Sequence, residues 1–165
     1  MITIGRAKSS QQVAAVQALM REYLLSYLAQ TPGSENAAAF QGWKTEIESL
    51  PGIYAPPKGR LLLATFDDQP AGCVALKSVQ EDIAELKRLF MHPAFRGHGI
   101  GEQMVNVLIE EARSIGYRRV ILDSHISMKA AHKIYIKAGF KFVDSRPDLP
   151  QEFKSTVVLM ECELR

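Results

Sequence analysis

The run Arg96-Gly97-His98-Gly99-Ile100-Gly101 is the segment of this chain best equipped for chemistry. It lies between a stretch that alternates like a strand and one with helical apolar spacing. Glycines there let the backbone come close to a ligand and take positive φ. A helix starting at that point presents unpaired N–H groups and the positive end of its dipole, which together favour an anion such as phosphate. Arg96 adds a fixed positive charge at the same place. Two common phosphate motifs fail. A P-loop ends in Gly-Lys-Ser/Thr, whereas Gly101 is followed by Glu102 and Gln103. The dinucleotide fingerprint GxGxxG, counted from Gly97, ends on Glu102; counted from Gly99 it ends on Met104. The bland alternative is a strand-to-helix turn that needs small residues.

Other reactive side chains are scattered. His125 and His132 are seven residues apart and no HExxH pattern contains them, so no metal site is expected. Cys73 and Cys162 sit in apolar strand-like stretches and read as buried thiols rather than a disulfide. His125 follows a short apolar strand, where a strand end opens into a cleft, and is a candidate base. Trp43, Tyr54, Tyr23 and Tyr27 are available to line a ligand pocket, although helically spaced aromatics more often pack in a core.

The elements that must position these groups follow from periodicity. Residues 2–7 alternate and read as a first strand. Ser9 or Ser10 can cap a helix running to Gln30, with Val13, Val16, Met20, Tyr23, Leu24, Tyr27 and Leu28 as its stripe. The turn signal Thr31-Pro32-Gly33-Ser34 stops it. A second helix over 36–50 presents Phe40, Trp43 and Ile47, and the proline-rich stretch 50–59 is a defined loop. Strands are expected over 61–66 and 72–79, joined by a hairpin connection at 67–70. A fourth strand over 83–91 should place Ile83, Glu85, Lys87, Leu89 and Met91 on one face, and Ala84, Leu86, Arg88 and Phe90 on the other. A helix over 100–115 ends at Gly116, the expected left-handed cap. Residues 120–123 form a strand buried on both faces. Ser127 caps a last helix that turns Ala131, Ile134, Tyr135 and Ala138 inward and ends at Gly139. Strands over 140–143 and 156–163 close a mixed-sheet α/β or α+β fold.

Composition narrows the classes. The chain has 165 residues, a length that suits one domain, taken here as 1–165. It is 47% hydrophobic and 23% charged, which excludes disordered and collagen-like chains. A net charge of +2 lacks the basic excess of a nucleic-acid binder. The apolar runs are too short to cross a membrane and no secretory signal is visible, so a cytoplasmic location without membrane or nucleic-acid partner is expected.

What remains of the glycine run is R-x-x-G-x-G. With Leu89-Phe90-Met91-His92-Pro93 before it and Tyr135 to Gly139-Phe140 after it, the chain resembles the GCN5-related N-acetyltransferases. Detailed likeness covers about residues 85–142. Met128 stands where many members carry asparagine. The resemblance implies a mixed, mostly antiparallel sheet of six to seven strands flanked by about four helices, with a parallel, splayed pair of strands four and five. It implies acetyl-CoA as co-substrate, without metal, and direct transfer to a primary amine, most simply on a small molecule. It allows a homodimer. A protein or peptide acetyltransferase and a non-catalytic acyl-CoA sensor are the alternatives.

Residue by residue, the resemblance implies that the backbone of Leu89, Phe90 and Met91 binds pantetheine and that the N–H of Met91 polarises the thioester carbonyl. Arg96, Gly97, His98, Gly99, Ile100 and Gly101 would hold the pyrophosphate, and Met128 and Tyr135 would contact the cofactor. Tyr135 stands at the position of the acid that protonates the leaving thiolate. Glu85 matches where some members place a water-relayed base. Tyr54, Trp43 and His125 are the expected acceptor-side residues.

Overall fold

The computed structural model describes residues 1–30, 38–144 and 156–164. In chain order it contains β1 (Ile2–Arg6), α1 (Ser10–Gln30), α2 (Ala38–Glu48), β2 (Arg60–Phe66), β3 (Gln69–Gln80) and β4 (Ile83–Met91). These are followed by α3 (Ile100–Ile115), β5 (Arg119–His125), α4 (Lys129–Lys137), β6 (Lys141–Val143) and β7 (Val157–Glu163). The strands form one sheet in the order β1-β2-β3-β4-β5-β7-β6. Every neighbouring pair is antiparallel except β4–β5, which is parallel. The expected mixed sheet with four helices is what the chain forms. The turn signal at 31–34, and residues 36 and 37 of the expected second helix, lie outside the described residues.

Local chemistry sets several boundaries. Ser9 accepts through Oγ from the Gln12 N–H at 3.1 Å, and Gln12 Oε1 accepts from the Ser9 N–H at 3.0 Å, a reciprocal cap that starts α1. The β2–β3 hairpin turns on Asp67 and Asp68, both at positive φ (48° and 69°), with Phe66 paired to Gln69. Mirror-image turns of this kind match the strand twist, and aspartate tolerates the left-handed region better than most residues. This turn is tighter than the expected loop, so β3 starts at Gln69 rather than at 72. Gly116 closes α3 at φ 112°, as its position predicted.

The sheet is covered on both faces. On one, Met104, Val105, Leu108 and Ala112 of α3 pack on Leu62, Val74, Leu76, Ala84 and Leu86. On the other, Val16, Met20 and Leu24 of α1 and Trp43 and Ile47 of α2 pack on Leu61, Leu63, Cys73, Ala75 and Phe90. Each fully buried aliphatic side chain contributes about 1.5–3 kcal/mol. Strand β2 is accordingly apolar at successive positions rather than at alternate ones.

Strand β4 departs from the alternation expected of it. Cys73 pairs with Phe90 and Ala75 with Lys87, so two steps along β3 answer three along β4. The extra residue is a bulge, with Arg88 at φ 63°. The bulge switches the faces. Ala84, Leu86, Leu89 and Met91 lie on the α3 side, while Phe90 joins the α1–α2 side. Glu85 and Lys87 therefore do not share a face with Leu89 and Met91. Arg88 moves to the α2 side, where its guanidinium lies 4.1 Å above the Trp43 ring and holds Glu46 through two hydrogen bonds of 2.8 and 3.0 Å.

Candidate active site

The glycine run forms the junction of β4 and α3. His92 caps a short turn by accepting from the Ala94 N–H at 3.0 Å through Nδ1, and Pro93 occupies the turn's first position. Arg96 Nε donates to the Met91 carbonyl at 3.0 Å, which ties the loop to the end of β4. Gly97 and Gly99 take φ 88° and 74°, conformations that cost a residue with a Cβ about 1–2 kcal/mol. Gly99 is the N-cap of α3 and supplies no side-chain acceptor. Gln103 is the first N–H of the helix to find a carbonyl, that of Gly99, at 3.2 Å. Among the described residues no backbone carbonyl accepts from the N–H groups of Gly97 to Gly101. A Cβ placed on Gly97 or Gly99 would meet no atom within 4 Å. Open space, unpaired donors and a helix N-terminus make this junction fit the phosphates of a coenzyme. The His98 imidazole packs back on the loop, with Nδ1 3.1 Å from the Phe95 carbonyl and its ring against Phe66, so His98 offers the junction its backbone N–H rather than its side chain.

Next to this junction the sheet opens. Strands β4 and β5 pair only at Ile83–Arg119, Ala84–Val120 and Glu85–Ile121. Beyond that rung Leu89, Phe90 and Met91 run on without a partner on the β5 side, which leaves backbone groups of β4 for an extended ligand. Tyr135 is buried among the residues on the α3–α4 side of this opening. Burial raises its hydroxyl pKa far above the ordinary tyrosine range, with smaller contributions from Tyr23 and Asp123. The phenol therefore keeps its proton until a strong base appears beside it. From the α1 side, Tyr23 stacks on Phe90 with ring centroids 5.3 Å apart and planes 11° from parallel. Its hydroxyl donates to Met128 Sδ at 3.6 Å, and burial pushes its pKa up to about 12.

The remaining expected residues fall in different places. Glu85 lies on the last β4–β5 rung, 8% exposed, with Lys77 Nζ 3.7 Å from its carboxylate. His125 ends β5 and faces Tyr27 edge-on at 6.0 Å. Its Nδ1 is engaged by Ser127, at 2.7 Å from Oγ and 3.2 Å from N. Ser127 thus bonds back to His125 rather than capping α4, whose N-cap is Met128 without a side-chain bond. Met128 packs toward α1 through its sulfur. Trp43 is buried beneath Arg88, and Tyr54, expected on the acceptor side, is fully buried. Both lie in the core between the sheet and the α1–α2 layer rather than at an open surface. Burial pushes the Cys73 thiol up to about 12, which disfavours a thiolate nucleophile.

Sequence reasoning missed Arg88, Glu46, Asp123 and His132. Asp123 looked like the last residue of a short strand, but β5 extends to His125 and carries it into the open stretch. His132 is buried, with Nε2 3.0 Å from Ser124 Oγ. Its place beside the inward residues of α4 was the available signal.

Residues 16–140 match the model of the acetyltransferase (GNAT) family. An N-acetyltransferase of Schizosaccharomyces pombe is 30% identical over 142 residues, covering 85% of this chain and 83% of that protein. The N-acetylaspartate synthetase of Danio rerio is 32% identical over 106 residues, covering 63% of this chain but only 38% of that longer protein. The crystal structure of the PaiA N-acetyltransferase of Thermoplasma acidophilum, in complex with coenzyme A, superposes with a TM-score of 0.77 at 22% identity and covers 99% of both chains.

Proposed function

The chain belongs to the acetyltransferase (GNAT) family, and from that premise we propose that it moves an acetyl group from acetyl-CoA to the primary amine of a small molecule by direct transfer. The observation that carries this reading is the junction itself: a stretch of β4 without a partner on its β5 side, running into a glycine turn whose N–H groups find no backbone carbonyl among the described residues at the head of α3. Acetyl-CoA brings the activated thioester. The N–H groups of Gly97 to Gly101 and the charge of Arg96 hold its phosphates. The Leu89–Met91 backbone aligns the pantetheine arm. A backbone N–H near Met91 aimed at the thioester carbonyl stabilises developing negative charge, a device that lowers a barrier by about 3 kcal/mol. Tyr135 keeps a proton for the departing sulfur. The amine loses its own proton on the α1 side of the sheet, where Glu85 and His125 both lie.

Two names support a small acceptor. The zebrafish relative is named for making N-acetylaspartate, an acetylated amino acid. A solved neighbour from Neisseria gonorrhoeae, at 20% identity, is an N-acetylglutamate synthase complexed with coenzyme A and N-acetylglutamate. The test is a screen of small amines, amino acids and basic peptides with acetyl-CoA, following free thiol. Thiol release with an amine and none with peptides supports the reading; release with peptides alone defeats it. Stabilisation by acetyl-CoA with no release from any acceptor favours a sensor instead.

A further inference from the structure

We propose that Asp123 is the side chain that takes the proton from the acceptor amine. The proposal rests on the acetyl-transfer reading and names a catalytic residue within it. Strand β5 alternates regularly. Val120 and Leu122 enter the core on the α3 side. Ile121, Asp123 and His125 therefore point to the α1 side. The ring contact between His125 and Tyr27 of α1 fixes that direction.

Position along the strand separates Asp123 from Glu85. Glu85 sits on the last paired rung, buried and beside Lys77. Asp123 lies two residues beyond that rung, exposed, where β4 and β5 have parted. Its charge is felt by Tyr23 on one side of the sheet and by Tyr135 on the other. Asp123 thus stands on the α1 face beside the stretch of β4 that has no β5 partner, the stretch proposed to align the coenzyme arm. The titratable and charged groups on the faces around it are Tyr23 and Tyr27 of α1, Lys77 of β3, Glu85, Lys87 and Arg88 of β4, His125 of β5 and Glu161 of β7 on the α1 side, with Tyr135 on the other. Arg88 is occupied by Glu46, and Glu161 is within 3.4 Å of Arg119.

The proton balance closes with these residues. An ammonium gives up one N–H proton to the Asp123 carboxylate, and the freed lone pair forms the bond to the acetyl carbon. The carbon–sulfur bond breaks with its electron pair going to sulfur, which takes the Tyr135 proton. The second N–H proton of the amine replaces the one Tyr135 gave. The proton on Asp123 passes to water, so the net products are amide, thiol and one proton.

The experiment compares wild type, Asp123→Asn, Asp123→Glu and Glu85→Gln with acetyl-CoA and a panel of L-aspartate, L-glutamate, spermidine and 2-phenylethylamine. Thiol release is followed at pH 7 and pH 9, and the thermal shift given by acetyl-CoA is measured separately. Asp123→Asn should lower kcat/KM about 10²–10⁴-fold at pH 7. The loss should shrink at pH 9, where more amine is already neutral, and the acetyl-CoA shift should persist. Asp123→Glu, which keeps the charge, should recover part of the rate. An Asp123→Asn enzyme with the wild-type rate and pH profile overturns the proposal alone. So does a pH-dependent loss found in Glu85→Gln instead, or an Asp123→Asn loss that takes the acetyl-CoA shift with it. Wild-type enzyme that releases no thiol with any panel amine overturns the small-amine reading and this proposal with it.

Discussion

Arg88 and Glu46 meet in a bidentate pair, Nε to Oε2 at 2.8 Å and Nη2 to Oε1 at 3.0 Å, which anchors α2 on the bulge of β4. The pair is mostly shielded, with side-chain exposures of 17% and 11%. The stacking of Arg88 on Trp43 shields it further. The same bulge decides which side chains face the acceptor side and which face α3. An ion pair therefore sets the geometry of the strand expected to carry the coenzyme.

Removing the guanidinium should leave Glu46 without its partner in a dry place. Arg88→Ala is expected to lose about 3–5 kcal/mol, the range for breaking a buried pair from one side. Arg88→Gly should lose about 1 kcal/mol less than Arg88→Ala, because glycine relaxes the strain at φ 63°. Urea unfolding of both variants gives the order. Equal losses would mean that the bulge carries no backbone strain at this residue.

The phosphate site is best tested at Gly99. A side chain on Gly101 would press on Ile134 Cδ1 at 3.1 Å and confuse binding with packing, whereas one on Gly99 enters open space. Acetyl-CoA should raise the melting temperature of the wild-type protein, since a ligand that binds the folded state stabilises it. Gly99→Glu should fold with a penalty of about 1–2 kcal/mol for positive φ and lose the acetyl-CoA shift. A folded Gly99→Glu protein that still shows the full shift would move the phosphates elsewhere.

Tyr135 makes a separable prediction. Tyr135→Phe keeps the ring packed against Phe140, whose centroid is 5.6 Å away. Stability and the acetyl-CoA thermal shift should stay near wild type. Its kcat should fall by up to about 10²-fold if protonation of the thiolate limits turnover. A thiol-leaving acyl donor with a more acidic sulfur should recover much of the loss, since that sulfur departs without a proton. Unchanged kcat together with lower stability would make Tyr135 a packing residue.

Local patterns revealed much of this in advance. The glycine run, the α3 helix with its Gly116 cap and the Tyr135-to-Phe140 stretch each depend on residues close in sequence, and their chemistry shows without a fold. The face of β4 did not show, because alternation presumes an unbroken strand. Whether Arg88 forms a bulge depends on its register against Cys73 and Ala75, fifteen and thirteen residues earlier, and on a carboxylate from α2. Asp123 was hidden for a similar reason. Only the end of β4–β5 pairing at Glu85 distinguishes a residue on a closed rung from one in an open gap. The burial of Tyr54 was not legible either, because a loop of prolines has no periodicity to show which side chains turn inward, and the loop folds this ring wholly inside.

Two titrations on different elements should shape the acid limb of stability. His132 is buried against Ser124, and burial, followed by the nearby Lys129 charge, lowers its pKa below the ordinary 6.5. The unfolded chain then binds this proton more readily than the fold does, so stability is highest above pH 6.5 and declines as pH falls from there toward the lower folded value. Glu111 behaves as a stabilised carboxylate. Its hydrogen bond from Arg6, reinforced by Arg60, lowers its pKa below 4.5 against a smaller burial effect. Its contribution is complete above pH 4.5 and is lost as pH falls through the folded value. Urea midpoints measured from pH 8 to pH 3 should therefore show an upper decline and a lower one. His132→Gln should flatten the segment between pH 7 and pH 5 and leave the lower decline in place. Glu111→Gln should weaken the protein at neutral pH and reduce the decline below pH 4.5. A His132→Gln curve parallel to wild type through pH 6 would show that the imidazole titrates alike in the folded and unfolded chains, and would remove the upper step from this account.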